Sequence, residues 1–173
     1  MLKGLDRKMS GITLFLAATW IFYAASLACA AGSEAGVLES EGIMMVMQGQ
    51  ADEGLALMKR SVMMEPNNAA RHMNYASILM AKGKYFFDAG RSTDAEKVLV
   101  EAQEHLLLAI KLFKNTPPDR LSKSQCYALL GDIYLYGYDQ KGKAFNYYKQ
   151  ALAEDPANAG VRETIMGLVE PGA

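Results

Sequence analysis

Two six-residue phrases in the chain repeat each other, and this repetition constrains the fold more than any other feature. The phrases are 64–69, MEPNNA, and 154–159, EDPANA. At each of these segments, one apolar stretch with helical spacing ends before the proline and another begins after it. Proline cannot continue the preceding helix, and asparagine is a favoured N-cap for the next one. The recurrence predicts an all-α fold of helical hairpins stacked in a row.

The stretch before the second phrase resembles the tetratricopeptide repeat (TPR). Its residues follow the spacing Tyr127-x2-Leu130-Gly131-x2-Tyr134 and then Ala144-x3-Tyr148-x2-Ala151-x4-Pro156. The resemblance implies that Gly131 and Ala151 are small because the two helices of a hairpin cross closely there. The tyrosines of the pattern would fill the gaps between neighbouring hairpins. One residue is inserted, relative to the repeat, in the turn 137–143.

A weaker copy of the same pattern comes first in the chain. It reads Leu38-x2-Glu41-Gly42-x2-Met45 and then Gly54-x3-Met58-x2-Ser61-x4-Pro66. Glu41 stands where the repeat usually has leucine, and Gly49-Gln50 supplies the turn. First repeats are often atypical because one of their faces lacks a neighbour.

The middle repeat is longer than the pattern allows. It opens with His72-x2-Tyr75-Ala76-x2-Leu79, but Pro117 follows Pro66 by 51 residues, whereas the repeat has a period of 34. Its second helix fits the pattern from either Ala95 or Ala102. We therefore predict an elongated hairpin with helices over 69–88 and 93–114 and a turn at 89–92. Three aromatic residues would lie near its tip: Tyr85, Phe86 and Phe87.

The predicted architecture is a short right-handed solenoid of about three TPR hairpins, one domain over 31–173. The repeats cover about 35–66, 69–117 and 124–156, and the break Pro117-Pro118-Asp119 precedes the third. A capping helix is predicted over 158–169. Three repeats are the usual minimum for a stable stack.

Residues 1–30 are predicted to be a separate targeting segment. Lys3, Arg7 and Lys8 precede an uncharged run of 20 residues, 12–31, and Ala28-Cys29-Ala30 fits a signal-peptidase site. We expect the mature chain to begin at Ala31. An uncleaved membrane anchor through residues 12–31 and a lipid on Cys29 are the alternatives. All three place the body in the periplasm or on the extracytoplasmic face of the membrane.

The sequence offers little material for catalysis or metal binding. It has two histidines and two cysteines, so no catalytic residue, cofactor or metal site is expected. We expect His72 in the core, His105 on a solvated helix face, and Cys126 as a structural cysteine near a helix start. A reactive Cys126 thiol is the alternative. The net charge of −1 gives no reason to expect nucleic acid.

Methionine is the one compositional excess, with eight residues between Met44 and Met80. We interpret them as core residues, with an adaptable partner surface or a Cu(I) site as alternatives.

The resemblance implies that the first helix of each repeat lines a concave groove. The residues at those positions are Glu39, Ile43, Met47, Met73, Asn74, Ser77, Met80, Gln125, Asp132, Leu135 and Tyr136. Some family members grip a partner's C-terminal carboxylate there, but only Asn74 matches that clamp. The groove would be apolar and slightly acidic, suited to a helix or an extended peptide.

These expectations favour a non-enzymatic scaffold that binds a protein or peptide partner in a cell-envelope complex. The alternative is a periplasmic small-ligand-binding component that accompanies a transporter. An enclosed cavity of about 300 Å³ or more beside the long hairpin would favour the ligand.

Overall fold

The structure, a computed structural model, describes residues 32–169. These residues form seven α-helices and a short π-helix, and no strand occurs among them. The helices are α1 (Glu34–Met47), α2 (Ala51–Met64), α3 (Ala69–Asp88), α4 (Ser92–Leu112), α5 (Pro117–Asp132), the π-helix (Ile133–Gly137), α6 (Lys141–Glu154) and α7 (Ala159–Val169). For these residues the all-α prediction is confirmed. The expected targeting segment lies outside the described residues.

The helices form three antiparallel hairpins, α1–α2, α3–α4 and α5–α6, and α7 packs on the last. The first helices of the hairpins form one layer, in which Asn74 of α3 donates a hydrogen bond to Glu39 of α1. The second helices form the other layer, in which Lys59 of α2 pairs with Glu101 of α4.

The two repeated phrases end and begin helices as their chemistry predicts. The side-chain oxygen of Asn68 accepts the backbone N–H of Arg71 at the start of α3. Asn158 accepts the N–H of Val161 in the same way at the start of α7. Each asparagine satisfies a donor that has no partner inside its helix.

The middle hairpin is elongated, as the proline spacing predicts. Its helices have 20 and 21 residues, against 14 in α1, α2 and α6. The chain reverses at Gly90, whose φ of +73° is a conformation that glycine adopts without strain. The bounds of α3 match the prediction. Helix α4 ends two residues early, because Phe113 is extended on the way to the third hairpin.

The third hairpin begins earlier than predicted. Pro117 and Pro118 form the first turn of α5 rather than a break before residue 124. Proline is tolerated there because the first helical N–H groups have no partner inside the helix.

The inserted residue of the third hairpin is absorbed by the π-helix. Tyr138 donates its N–H to the carbonyl of Ile133, five residues earlier, at 3.2 Å. One wide turn thus takes up one extra residue. The turn then closes through Asp139, which has a φ of +51°.

Two apolar clusters hold the stack together. The larger joins the first two hairpins to α5 and includes Met58, Leu79, Leu106 and Leu130. The smaller joins α6 to α7 and is built from Ala144, Tyr148, Ala151 and Val161. Of the helices between residues 32 and 169, none has the length and apolar content needed to cross a bilayer.

Candidate functional site

The predicted groove follows the first-layer helices, and its members differ in exposure. Met47 and Tyr136 are 62% and 64% exposed, and Ser77, Gln125, Asp132 and Leu135 are partly exposed. Glu39, Ile43, Met73, Asn74 and Met80 are buried. Ile43, Met73 and Met80 belong to the main core, so the accessible positions of the predicted groove lie mainly on α5 and the π-helix.

Arg71 neutralises the acidic end of this groove. Its guanidinium, 4% exposed, pairs with the Glu39 carboxylate and donates to Ser61 at 3.2 Å. The second oxygen of Glu39 accepts a hydrogen bond from Asn74 at 2.8 Å. The Glu39 carboxylate is thus paired inside the fold and adds no free negative charge to the predicted groove.

The same arginine fixes the loop between the first two hairpins. Its Nε donates to Glu65 at 3.0 Å, and Ser33 and Asn68 donate to that carboxylate at 2.8 and 2.9 Å. The hydrogen bond from Arg71, followed by those from Asn68 and Ser33, lowers the pKa of Glu65 to about 2. The repeat pattern gives no signal for Arg71, and sequence reasoning missed it.

Asp132 combines a partly exposed position with a carboxyl group that is itself buried. Burial raises the pKa of its carboxyl to about 7, although Tyr148 opposes the shift by donating a hydrogen bond at 2.7 Å. The hydroxyl belongs to a ring that is 1% exposed and lies against Gly131. Near neutral pH the Asp132 carboxyl can therefore either accept or donate a hydrogen bond.

Gln125 supplies a second polar group two helical turns from Asp132. Its side-chain oxygen is buried and accepts no hydrogen bond from any residue between 32 and 169. An unsatisfied buried acceptor is unfavourable unless a donor reaches it.

The tip of the long hairpin exposes one of its three aromatic residues. Tyr85 is 64% exposed, whereas Phe86 is buried beneath the Arg91 guanidinium, 4.3 Å from the ring centroid. Phe87 packs against the main core. Tyr85 alone therefore remains a contact candidate at the tip.

The two histidines meet, contrary to the prediction. The Nδ1 atoms of His72 and His105 lie 2.7 Å apart, and the rings stack at a centroid distance of 5.0 Å. His72 is buried as expected, but His105 is half-buried rather than on a solvated face. Within the described part of the chain, no third ligating side chain joins them to make a metal site.

Cys126 has a structural position, whereas the methionines are divided between core and surface. Cys126 lies in the middle of α5, not at its start, and burial raises the pKa of its thiol to about 12. The reactive-thiol alternative is therefore wrong. Met58, Met73 and Met80 are core residues, whereas Met44, Met47, Met63 and Met64 are exposed. The interpretation of the methionines as core residues is therefore wrong for these four.

Two surface clefts lie near the loops, one beside the junctions of successive hairpins and one on the third hairpin. One of 650 Å³ runs between the 65–70 segment and the 112–114 segment, with Phe113, Lys114 and Asn67 in its lining. The other, of 470 Å³, lies beside Pro118 and Leu121. Both are open to solvent, so neither is the enclosed cavity that would favour a small ligand.

Of three comparisons with known proteins, only the one with solved structures bears on the fold. No protein-family profile matches the chain, and no curated protein is significantly similar to it. Among solved structures, the chain is similar to one described as the first TPR of Spaghetti (RPAP3) bound to HSP90 peptide SRMEEVD. The TM-score is 0.52 and the identity 17%, over 78% of this chain and 90% of that one. At this identity the likeness shows the fold alone, which is that of a TPR domain.

Proposed function

We propose that the chain is a non-enzymatic scaffold that binds a protein or peptide partner in the groove of its first-layer helices. The observation that carries the proposal is a preformed TPR-like stack whose groove presents exposed Tyr136 and Met47. A rigid stack binds with little loss of conformational entropy, because its contact residues are already in place. The similar TPR structure was itself solved with a bound peptide.

The groove chemistry favours a partner with apolar anchors and N–H donors. Leu135 and Tyr136 offer apolar surface at one end, and the carboxyl of the partly exposed Asp132 offers an acceptor beside it. Ile43 occupies a position where the carboxylate-gripping members have a polar residue. An acidic C-terminus is therefore a poor candidate, and an apolar helix or extended strand is favoured.

The groove assignment is tested with two matched tyrosines. Tyr136 and Tyr85 are equally exposed, at 64% each, but only Tyr136 belongs to the groove. Natural partners are cross-linked in cells through a photoreactive residue at Met47 and identified by mass spectrometry. We expect Tyr136→Glu to reduce the cross-linked partner at least tenfold and Tyr85→Glu to leave it unchanged. If Tyr85→Glu rather than Tyr136→Glu reduced cross-linking, the binding site would lie at the hairpin tip. If neither variant reduced cross-linking, the groove assignment would be wrong.

We also propose that the scaffold works outside the cytoplasm, in an envelope complex. The support is the basic head and the uncharged run of 12–31 in the sequence. Intact-mass measurement of the natural protein tests this. A mature N-terminus at Ala31 supports cleavage, a chain that keeps Trp20 indicates an anchor, and a lipid mass on Cys29 indicates a lipoprotein. An unprocessed chain in the soluble cytoplasmic fraction would contradict export.

A further inference from the structure

The histidine pair lies at the junction between the first two hairpins. His72 belongs to the first turn of α3, and His105 faces it from α4. The Nε2 atom of His72 lies 2.9 Å from the carbonyl oxygen of Pro66, in the loop through which the chain leaves the first hairpin. One hydrogen-bonded chain thus joins this exit loop, residues 65–68, to both helices of the second hairpin.

The geometry fixes where the protons sit. A carbonyl oxygen only accepts, so His72 Nε2 carries the hydrogen that points at Pro66. In a neutral ring, His72 Nδ1 is then an acceptor. It faces His105 Nδ1 at 2.7 Å, so His105 Nδ1 carries the single hydrogen between the rings. If His72 Nδ1 also carried a hydrogen, two hydrogens would lie between nitrogens 2.7 Å apart. The closed pair therefore cannot have both rings protonated.

We propose that His72 and His105 form a proton-sensitive clasp that holds the exit loop, residues 65–68, on the second hairpin and releases it on acidification. The closed clasp holds at most one extra proton, which is carried on His105 Nε2. In the open form the two imidazoles are separate, and each can bind a proton. Acid therefore favours the open form.

The surroundings of the clasp decide how readily His105 becomes charged. Burial, followed by the neighbouring His72, lowers the pKa of His105, and Lys59 of α2 acts in the same direction. Glu101 and Glu104 of α4 oppose this shift. The Glu101 charge is partly used elsewhere, because Lys59 and Tyr75 donate to it at 2.9 Å each. From α2, α3 and α4 together, the net effect disfavours the imidazolium.

Release of the clasp has a defined structural consequence. The exit loop borders the 650 Å³ cleft through Glu65, Pro66 and Asn67. On its other side the loop stays bonded to Arg71, and the low pKa of Glu65 keeps that bond through the pH range in question. Acidification would therefore loosen the loop at Pro66 and hinge the first hairpin about the Arg71 network, without unfolding the stack.

Imidazole nitrogen NMR on the purified chain tests the proton arrangement. At pH 7.5 we expect His72 in the Nε2–H form and His105 in the Nδ1–H form. On acidification the two rings should titrate as a coupled pair, with His105 below its ordinary value. Two independent titrations near pH 6.5, or an Nδ1–H form of His72, would overturn the clasp.

Amide hydrogen exchange tests the release. We expect the opening constant at Asn68 and His72, corrected for intrinsic exchange, to rise at least tenfold per pH unit below about pH 6, because opening takes up at least one proton. The turn at 89–91, at the far end of the hairpin, should show no such slope. Combining His72→Gln with His105→Asn should abolish it. The same pH slope at the 89–91 turn, or a slope that persists in a double variant that is still helical, would overturn the proposal. If the double variant does not fold, the NMR measurement on the wild-type chain still tests the clasp.

Discussion

Gly131 and Tyr148 show how one missing side chain sets the distance between two helices. A Cβ atom at Gly131 would overlap the ring of Tyr148, which is fully buried between α5 and α6. The ring is also fixed at its far end by its hydrogen bond to Asp132, so it cannot move aside easily. The close approach that the repeat pattern implies at this glycine is therefore present.

We predict that Gly131→Ala destabilises the fold by roughly 1–3 kcal/mol, through overpacking against Tyr148. Gly142→Ala is the matched control, because nothing lies within 4 Å of its would-be Cβ. The control should leave stability unchanged or raise it slightly, since alanine favours a helix over glycine. Urea melts of the two variants measure the difference. Equal midpoints would contradict the assigned crossing.

Asp132 predicts a pH effect of unusual sign. Its pKa of about 7 in the folded chain lies above the value of about 3.9 expected when unfolded. Between these values only the folded state holds the proton, so the contribution of this residue to stability falls as the pH rises from about 4 to 7. Asp132→Asn keeps the acceptor for Tyr148 and removes the charge.

The melting temperature of Asp132→Asn, relative to wild type, should therefore grow between pH 4.5 and 7.5 and level off above that range. Thermal melts monitored by circular dichroism at four or five pH values give the curve. A difference that stays constant with pH would show that Asp132 does not titrate in this window.

The sequence predicts helix ends well wherever one local residue decides them. Asn68 and Asn158 cap the following helices, and Gly90 reverses the long hairpin, because capping and positive φ are properties of single residues. Pro117 was misjudged because proline is compatible with both a break and a first turn. The sequence predicts one inserted residue in the third hairpin but not the π-helix that accommodates it, since several turn geometries can accommodate an insertion.

Polar contacts between helices are the part that the sequence did not predict. His72 and His105 are 33 positions apart, and Glu39 and Arg71 are 32 apart. Whether two such residues meet depends on how each helix is rotated about its axis. The repeat pattern fixes that rotation for its small and aromatic positions, but it says nothing about which polar groups face each other between them.

At the scale of elements, the Arg71 network joins α1, α3 and the exit loop. We predict that Arg71→Met costs about 3–5 kcal/mol, because it leaves the buried Glu39 carboxylate without its cation. Adding Glu39→Met should recover part of that loss, since no buried charge then remains. Lys84→Met removes an exposed pair with Asp88 and should change stability by less than about 1 kcal/mol. Additive losses in the double variant would contradict the coupling.

At the scale of the whole molecule, the stack has two cores of unequal size. The first two hairpins and α5 share the larger one, whereas α6 and α7 close the smaller one over Tyr148. Tyr127 packs against both clusters and links them. In a stack of this kind each hairpin is stabilised mainly by its neighbours, so the end with fewer neighbours opens first.

We therefore predict that α6 and α7 exchange their amide hydrogens through openings of lower free energy than those of α3 and α4. Two buried valines provide matched probes: Val62 is 6% exposed in the larger core and Val161 is 5% exposed in the smaller one. Each Val→Ala change should cost about 2 kcal/mol, for two methyl groups and the space they leave. Val161→Ala should speed exchange in α6 and α7 alone, because these two helices can open while the larger core stays folded. Val62→Ala should speed exchange across the first two hairpins. Native-state exchange in low urea measures both, and a Val161→Ala effect that extends to α3 and α4 would mean that the molecule opens as one unit.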